Sequence, residues 1–345
     1  MNKKRLEQIL ARIPDVRLVV YGDYFLDNYL VLERSLSETS LETGLEAYQV
    51  VDARTYPGVA GTTVSNLRSL GVQVFALGLC GDDGNGFELR KKLVESGVDV
   101  GGFLDVPGLA TPTYNKPMMR EADGQEHELN RMDVKFRAPL AYALEERLIG
   151  QMRRLLAEAD GMLVIDQARQ RNCGAVTDRT RDEVHMLGAL NPKKMILVDS
   201  REFLGFFKFG ILKSNLGEAM RSTHTKRKAD ESAAACAERC ARLLNTQTGC
   251  PAVITLGDEG MLLVQGLNHA AVFIPAIPVN GPIDIVGAGD AVDASLGAAL
   301  CAGASLEEAG FLANLVASVV IQQIGVTGTA SAEQVMDQYL AHFEG

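Results

Sequence analysis

The chain has 345 residues, of which 47% are apolar, and a formal net charge of −10. This length and apolar content suffice for a sizeable buried core, and the negative charge argues against nucleic acid or an anionic membrane as a general partner. The six cysteines show no paired spacing, which predicts a reduced, cytoplasmic setting. No run has the length and character of a signal peptide or membrane span, so we expect no membrane association.

The first predicted strand follows an opening amphipathic helix, covers residues 16–21 and ends at Gly22-Asp23. Open α/β sheets bind ligands at the carboxyl ends of their strands, so Asp23 is a candidate for ligand binding. The alternative is that Asp23 only caps the following turn. Residues 31–56 lack a sustained helical period and predict an excursion from the main sheet. A turn at Gly58 then leads into a helix, and its small residues allow a close approach of backbone to ligand.

A second extended segment is predicted at residues 111–133. Lys116 and Arg131 lie on it and could meet a phosphate already present on a substrate, or they are exposed strand charges. From residue 140 onward, helical and strand patterns alternate, which indicates a parallel sheet with both faces covered. Two of these strands end in aspartate, at Asp166 and Asp199.

Three further segments have a plain structural interpretation. Asn215 and Glu218 have the spacing of a helix N-cap and capping box. Residues 253–264 predict a strand, a turn and a second strand. Residues 305–324 predict a long helix, in which Asn314 would face solvent.

The run from Gly281 to Asp290, Gly-Pro-Ile-Asp-Ile-Val-Gly-Ala-Gly-Asp, precedes a small-residue segment at 291–303 that predicts a buried helix. A Gly-Ala-Gly turn at a helix start directs backbone amides outward and forms an anion site. An acid in the first helical turn would repel a resting phosphate, which favours a catalytic role. Asp290 could accept the proton of an attacking hydroxyl while the amides hold charge on a transferred phosphoryl group. The alternative is that Asp290 caps the helix.

Residues 284–290 resemble the C-terminal signature Asp-Thr-x-Gly-Ala-Gly-Asp of the ribokinase-like (PfkB) sugar kinases, and other segments from 16 to 329 resemble that family in the same order. Residues 22–29 are most similar to the heptose-7-phosphate kinase branch. The sequence departs from the family at Ile285, Val59 and Thr62. The resemblance implies a single α/β domain over residues 1–345, with a doubly wound, mostly parallel sheet and a small β-lid formed by 31–56 and 111–133.

The resemblance also implies roles for individual residues. Asp290 would be the base, beside an anion hole formed by Gly287, Ala288 and Gly289. The sugar would contact Asp23, Gly58 and Asp166, and the nucleotide would be bordered by Asn215, Thr255, Gly257 and Asn314. Glu218 would order magnesium, and Asp284 would order a monovalent cation. The implied ligands are ATP, Mg²⁺, a monovalent cation and a sugar or sugar phosphate, and the implied assembly is a homodimer that pairs through the lid.

Two other functions stay open at this point. A sugar- or nucleotide-binding protein without turnover is favoured by the departures at Ile285, Val59 and Thr62 and opposed by Asp290 and the intact Gly-Ala-Gly turn. A kinase for a neutral sugar or nucleoside is also compatible with the residues. A nicotinamide-dependent enzyme is disfavoured, because no Gly-x-Gly-x-x-Gly turn follows the first strand.

Overall fold

The computed structural model describes residues 1–344, which form ten α-helices and seventeen β-strands joined by short turns. The helices are α1 (Lys3–Arg12), α2 (Ala60–Ser69), α3 (Gly84–Glu95), α4 (Tyr142–Glu158), α5 (Asp178–Leu190), α6 (Leu216–Ser222), α7 (Ala233–Thr248), α8 (Ala288–Cys301), α9 (Leu306–Val320) and α10 (Ala332–Phe343). The strands are β1 (Arg17–Gly22), β2 (Tyr24–Glu33), β3 (Glu38–Thr39), β4 (Glu46–Ala47), β5 (Val50–Val59), β6 (Gln73–Leu77), β7 (Leu79–Gly81), β8 (Leu104–Val106), β9 (Thr113–Arg120), β10 (Glu126–Glu128), β11 (Met132–Val134), β12 (Gly161–Asp166), β13 (Met195–Ser200), β14 (Ile211–Asn215), β15 (Ala252–Thr255), β16 (Gly260–Val264) and β17 (Val272–Pro275).

The central sheet has eight strands in the order β17-β16-β15-β14-β13-β12-β1-β6. Six neighbouring strands are parallel to one another: β15, β14, β13, β12, β1 and β6. Strands β16 and β17 extend the sheet beyond β15 as antiparallel strands. The predicted doubly wound, mostly parallel sheet is therefore confirmed. The segment predicted as strand, turn and strand is the antiparallel pair β15 and β16.

A hydrophobic core lies on each face of this sheet. One core contains side chains of α1, α2, α3, α8, α9 and α10, and the other contains side chains of α4, α5, α6 and α7. Strand β12 is buried along its whole length and is almost continuously apolar, as expected of a parallel strand covered on both faces. Within the described chain, no helix combines the length and the apolar character that a bilayer span requires.

A second sheet forms the predicted β-lid. Its strands follow the order β10-β9-β2-β5, with β11 paired to β9. The lid is larger than the sequence predicts, because β2 already begins at Tyr24 and β5 continues to Val59. Only Asp23 separates β2 from β1, so the lid continues directly from the carboxyl end of a central strand.

Candidate functional site

A cavity of about 310 Å³ opens between the lid and the carboxyl ends of the central strands. Lid strands β2 and β9 contribute one wall, strands β13 to β15 contribute the floor, and the start of helix α8 contributes the opposite wall. This position agrees with the rule that open α/β sheets bind ligands at the carboxyl ends of their strands.

The predicted Gly-Ala-Gly turn lies in this cavity at the first turn of α8. Gly287 precedes the helix with φ of 81°, a left-handed conformation that favours glycine, and a Cβ atom there would lie 2.9 Å from Cγ2 of Thr327. The half-buried Asp290 is in the first helical turn and lines the cavity. Burial, together with the nearby carboxylates of Asp199 and Asp27, raises the pKa of Asp290 to about 7 against the opposing effect of Lys213.

One of the three predicted anion-hole amides is paired within the loop. The backbone N–H of Ala288 donates to the carbonyl of Ile285 at 3.2 Å. The backbone amides of Gly287 and Gly289 make no hydrogen bond to the described residues, and both glycines line the cavity. Two glycine amides at a helix N-terminus therefore remain available to an anion.

A buried lysine connects this turn to the central sheet. Lys213 of β14 donates from Nζ to Oδ2 of Asp199 at 2.7 Å, to Oδ2 of Asp293 at 3.0 Å and to the carbonyl of Gly289 at 3.1 Å. Burial raises the pKa of Asp293 well above its ordinary value. The single cation stabilises two buried carboxylates and fixes the glycine turn at the same time.

Asn215 and Glu218 line the same cavity at the start of α6. They form the predicted capping box, since Oδ1 of Asn215 accepts from the amide of Glu218 and Oε2 of Glu218 accepts from the amide of Asn215, both at 2.9 Å. Oε1 of Glu218 accepts no hydrogen bond from the described residues. Burial, followed by the charge of Asp199, raises the pKa of Glu218. The capping interpretation is thus confirmed, and it leaves one carboxylate oxygen free at the cavity.

The lid places a second ion pair in the cavity. Nζ of Lys116 donates to Oδ2 of Asp27 at 2.9 Å and to the hydroxyl of Tyr29 at 2.9 Å, and Lys116 is 7% exposed. The other carboxylate oxygen of Asp27, Oδ1, is buried without a hydrogen bond. A Cβ atom at Gly58 would lie 2.4 Å from this oxygen, so the glycine makes room for the carboxylate rather than lining the cavity itself.

Arg131 also lines the cavity, but its charge is compensated within the lid. Its guanidinium bonds to Asp133 at 2.6 and 3.0 Å and lies over the ring of Tyr114, 4.1 Å from the centroid. Because Lys116 and Arg131 both have carboxylate partners, neither presents an uncompensated positive charge to the cavity.

Two predicted sugar contacts are occupied by the protein itself. The carboxylate of Asp23 accepts three backbone amides, from Gln167 at 2.9 Å, Ala168 at 3.0 Å and Ala175 at 2.8 Å, and thereby holds the loop after β12. Asp166 accepts from the hydroxyl of Ser200 at 2.7 Å, and its side chain is wholly inaccessible. Asp166 does not line the cavity, so its contact with the sugar stays a prediction.

The remaining predicted nucleotide and cation residues have mixed positions. Thr255 lines the cavity, whereas Gly257 lies in an exposed turn with φ of 65°. Asn314 is buried, and its amide donates to the carbonyls of Ile274 and Pro275 at 3.2 and 2.8 Å, so it faces neither solvent nor an open pocket. Asp284 accepts from the amides of Val286 and Gly325 and joins the loop before α8 to the segment after α9.

A comparison with known protein families identifies the family to which this chain belongs. The family described as "pfkB family carbohydrate kinase" matches residues 18–333 of this chain. The chain belongs to the pfkB family of carbohydrate kinases. The Bifunctional protein HldE of Geobacter metallireducens is 27% identical to this pfkB kinase over 347 residues, which cover 99% of the chain and 67% of that relative. HldE of Bradyrhizobium sp. is 30% identical over 95% of the chain and 64% of its own length. The kinase thus spans about two thirds of these relatives.

Solved structures share the fold of this pfkB kinase. The Y23D mutant of phosphofructokinase-2 from Escherichia coli superposes with a TM-score of 0.70 at 17% identity, over 94% of this chain and 98% of that one. Ribokinase from Arabidopsis thaliana, in complex with ribose and ATP, superposes with a TM-score of 0.66 at 20% identity, over 94% and 98%. The predicted ribokinase-like fold is confirmed.

Four charged cavity residues of this pfkB kinase, Asp27, Asp199, Arg201 and Lys213, are missing from the predicted site, and the sequence marks Asp199 only as the end of a strand. Asp27 lies within the long apolar strand β2, and Lys213 within the apolar strand β14, where each is the only charged residue of its immediate segment. A charge inside a buried strand needs a partner, and this rule could have flagged both. Arg201 follows β13, and nothing in its local sequence distinguishes it from a surface arginine.

Proposed function

We propose that this pfkB kinase transfers the γ-phosphate of ATP to a hydroxyl group of a sugar phosphate, with Asp290 as the general base. One observation carries the proposal: Asp290 lines the cavity beside the unpaired amides of Gly287 and Gly289 at the start of α8. A carboxylate beside two free amides combines a proton acceptor with donors for developing negative charge.

The proton transfer follows from the environment of Asp290. With a pKa of about 7, Asp290 is a stronger base than an ordinary carboxylate and is still ionised in an appreciable fraction of molecules near neutral pH. The acceptor hydroxyl donates its proton to the Asp290 carboxylate as its oxygen bonds to the γ-phosphorus, while the bond from that phosphorus to the β–γ bridging oxygen breaks and ADP leaves. The amides of Gly287 and Gly289 donate hydrogen bonds to the charge that spreads over the transferred phosphoryl oxygens.

Magnesium fits the residues at the nucleotide side of the cavity. Mg²⁺ is held by one or two carboxylates together with substrate phosphates, and Oε1 of Glu218 is a free carboxylate oxygen at the cavity wall. When bound, Mg²⁺ would neutralise charge on the β- and γ-phosphates. Asn215 and Thr255 would border those phosphates. We assign the monovalent cation to the loop of Asp284; phosphofructokinase-2 of Escherichia coli, which shares the fold, has been solved in complex with potassium.

The acceptor we propose is a heptose 7-phosphate, because residues 22–29 resemble the heptose-7-phosphate kinase branch and proteins named HldE match nearly the whole chain. The sugar would lie between the lid and α8, with Asp27 as a hydroxyl acceptor. Oδ1 of Asp27 has no hydrogen bond in the structure, and an unpaired buried carboxylate oxygen is costly unless a ligand donates to it. Val59 and Thr62, which line the same wall, make that wall less polar than the Gly and Asn of the family signature.

We further propose that two copies pair through their lids. Lid residues expose large apolar side chains, including Leu41 at 103%, Leu45 at 70% and Val50 at 53% relative exposure. Leu41 and Leu45 lie in the turn between β3 and β4, and Val50 begins β5, so this part of the lid carries exposed apolar side chains of the kind found at interfaces. Gel filtration with light scattering tests the pairing, and Leu45→Asp should convert a dimer to a monomer.

ATP consumption measured against a panel of sugars and sugar phosphates tests the kinase function. We expect turnover with at least one sugar phosphate and its loss in Asp290→Asn. A protein that binds a sugar and ATP but transfers no phosphate to any acceptor would instead be a non-catalytic binding protein. A preference for free sugars or nucleosides would identify a neutral acceptor.

A further inference from the structure

We infer that a second cavity, beside the first, holds an anionic group on the acceptor, and we call it the arginine cavity. It measures about 210 Å³, and its lining includes Lys135, Arg137, Arg169 and Arg201. The inference rests on the proposed function, because it assigns the resident phosphate of the acceptor to this cavity, at a distance from the hydroxyl that reacts.

Three arginines without a direct carboxylate partner distinguish the arginine cavity. Within residues 1–344, the guanidinium groups of Arg137, Arg169 and Arg201 make no hydrogen bond to, and no ion pair with, any carboxylate. A neighbouring arginine of the same loop behaves differently, since Arg171 bonds to Asp178 at 2.9 Å. In a chain of net charge −10, three arginines without partners around one cavity favour an anionic ligand.

The other charges of the cavity do not cancel this excess. Asp23 is the only acidic residue in the lining, and its carboxylate is 1% exposed and already accepts three backbone amides. Burial raises the pKa of Asp23 against the opposing effect of these three amides. Lys135 is paired with Asp133 at 2.9 Å and contributes little. The field inside the cavity is therefore set mainly by arginine, whose planar group binds phosphate through two parallel hydrogen bonds.

The two cavities are contiguous, because Tyr114, Gln167 and Arg201 line both of them. One acceptor can therefore place its reacting hydroxyl at Asp290 and its phosphate among the arginines. A volume of about 210 Å³ corresponds to roughly seven water molecules at ~30 Å³ each, which accommodates a phosphate group and the carbon that bears it.

This assignment differs from the predicted one. The sequence suggests Lys116 and Arg131 as phosphate ligands, but Asp27 and Asp133 already neutralise them. A phosphate at those residues would have to replace an existing ion pair. At the arginine cavity it would gain charge-assisted hydrogen bonds without breaking one.

The test uses the double variant Arg137→Gln/Arg169→Gln, in which both residues keep their approximate size and lie outside the catalytic cavity. The matched control is Arg147→Gln, an exposed arginine of α4 that lines neither cavity and has no ion pair. We expect the double variant to raise the Michaelis constant for the best sugar phosphate at least about tenfold. This factor corresponds to the loss of charge-assisted hydrogen bonds between the arginines and the phosphate. The Michaelis constant for ATP, the use of the corresponding free sugar and the melting temperature should stay unchanged.

A binding measurement separates this inference from the proposed function. Titration of the full-length Asp290→Asn protein with mannose 6-phosphate and with mannose, with β,γ-imido-ATP saturating the nucleotide site, needs no turnover. Tighter binding of the phosphate ester, lost in the Arg137→Gln/Arg169→Gln background, supports the arginine cavity even if no kinase substrate is found. Equal binding of ester and free sugar, or an ester preference that survives both substitutions, would overturn it. Absence of transfer to every acceptor would refute the kinase proposal alone.

Discussion

Acidification should inactivate the enzyme by protonating Asp290. The structure raises the pKa of this carboxyl to about 7, with burial as the largest cause, and a general base acts only in its ionised form. We therefore expect kcat/KM to be half-maximal near pH 7 and to fall about tenfold per pH unit below it. At pH 5.5 about one thirtieth of the maximal value should remain, whereas an ordinary aspartate would still be fully ionised.

The same shift predicts a gain of stability in Asp290→Asn. Because the pKa of Asp290 is raised from 3.8 to about 7 in the folded protein, this carboxyl lowers the free energy of unfolding above about pH 4. At ~1.36 kcal/mol per pKa unit, the upper limit of this destabilisation is about 4 kcal/mol. Asp290 is half-buried, so solvent screening reduces this to about 1–2 kcal/mol. The asparagine variant should thus lose about 10²- to 10⁴-fold in kcat while unfolding at a higher denaturant concentration at pH 8.

Two measurements check this reasoning. A pH series of kcat/KM for the acceptor gives the half-maximal pH, and denaturant unfolding at pH 5 and pH 8 gives the stability difference between parent and variant. That difference should be larger at pH 8, because the parent carries the buried charge only there. A kcat/KM that stays constant down to pH 5, or an asparagine variant with activity within a few-fold of the parent, would remove Asp290 from the role of base.

The remaining predictions concern the floor and wall of the cavity. Lys213→Met should destabilise the fold by about 3–5 kcal/mol at pH 8 and by less at pH 5, because Asp293, whose pKa is raised by burial, can take up a proton at low pH; an equal loss at both values would contradict the paired geometry. Glu218→Gln should raise the magnesium concentration needed for half-maximal rate, and an unchanged requirement with a lower melting temperature would leave only the capping role. Val59→Gly should be more stable than Val59→Ala by about 1 kcal/mol, the reverse of the usual order, because Val59 has φ of 59°; calorimetry of the pair decides.

The sequence predicts the sheet and the glycine turn before α8 well, because both depend on local patterns. Apolar strands that alternate with helices indicate a parallel sheet wherever they occur, and the left-handed conformation of Gly287 is one that glycine adopts readily. The use of its amides was less accessible to prediction. The turn from Asp284 to Asp290 directs one amide, that of Ala288, back to Ile285, and only the folded loop shows this.

Side-chain partners explain most of the other differences. The rule that ligands bind at the carboxyl ends of strands selects Asp23 and Asp166. In the structure, however, backbone amides donate to Asp23 and the hydroxyl of Ser200 donates to Asp166. Asp27 is the carboxylate that lines the cavity instead. It does so because the chain continues after Asp23 into lid strand β2 and does not turn into a helix. The arginine cavity collects residues from three separate loops, so no single stretch of sequence indicates it.

The one-residue junction between the two sheets bears on how water is excluded as an acceptor. Asp290 and Lys213 belong to the central layer, whereas the carboxylate of Asp27 is carried by the first lid strand, beyond the anchored Asp23. Asp290, the proposed general base, and Asp27, the proposed ligand of the acceptor molecule, thus meet only across the gap between two sheets. An acceptor that contacts both sheets would draw them together and align its own hydroxyl, whereas a water molecule contacts only one side. Wasteful hydrolysis of ATP should therefore be slow in the absence of acceptor, without any residue dedicated to preventing it.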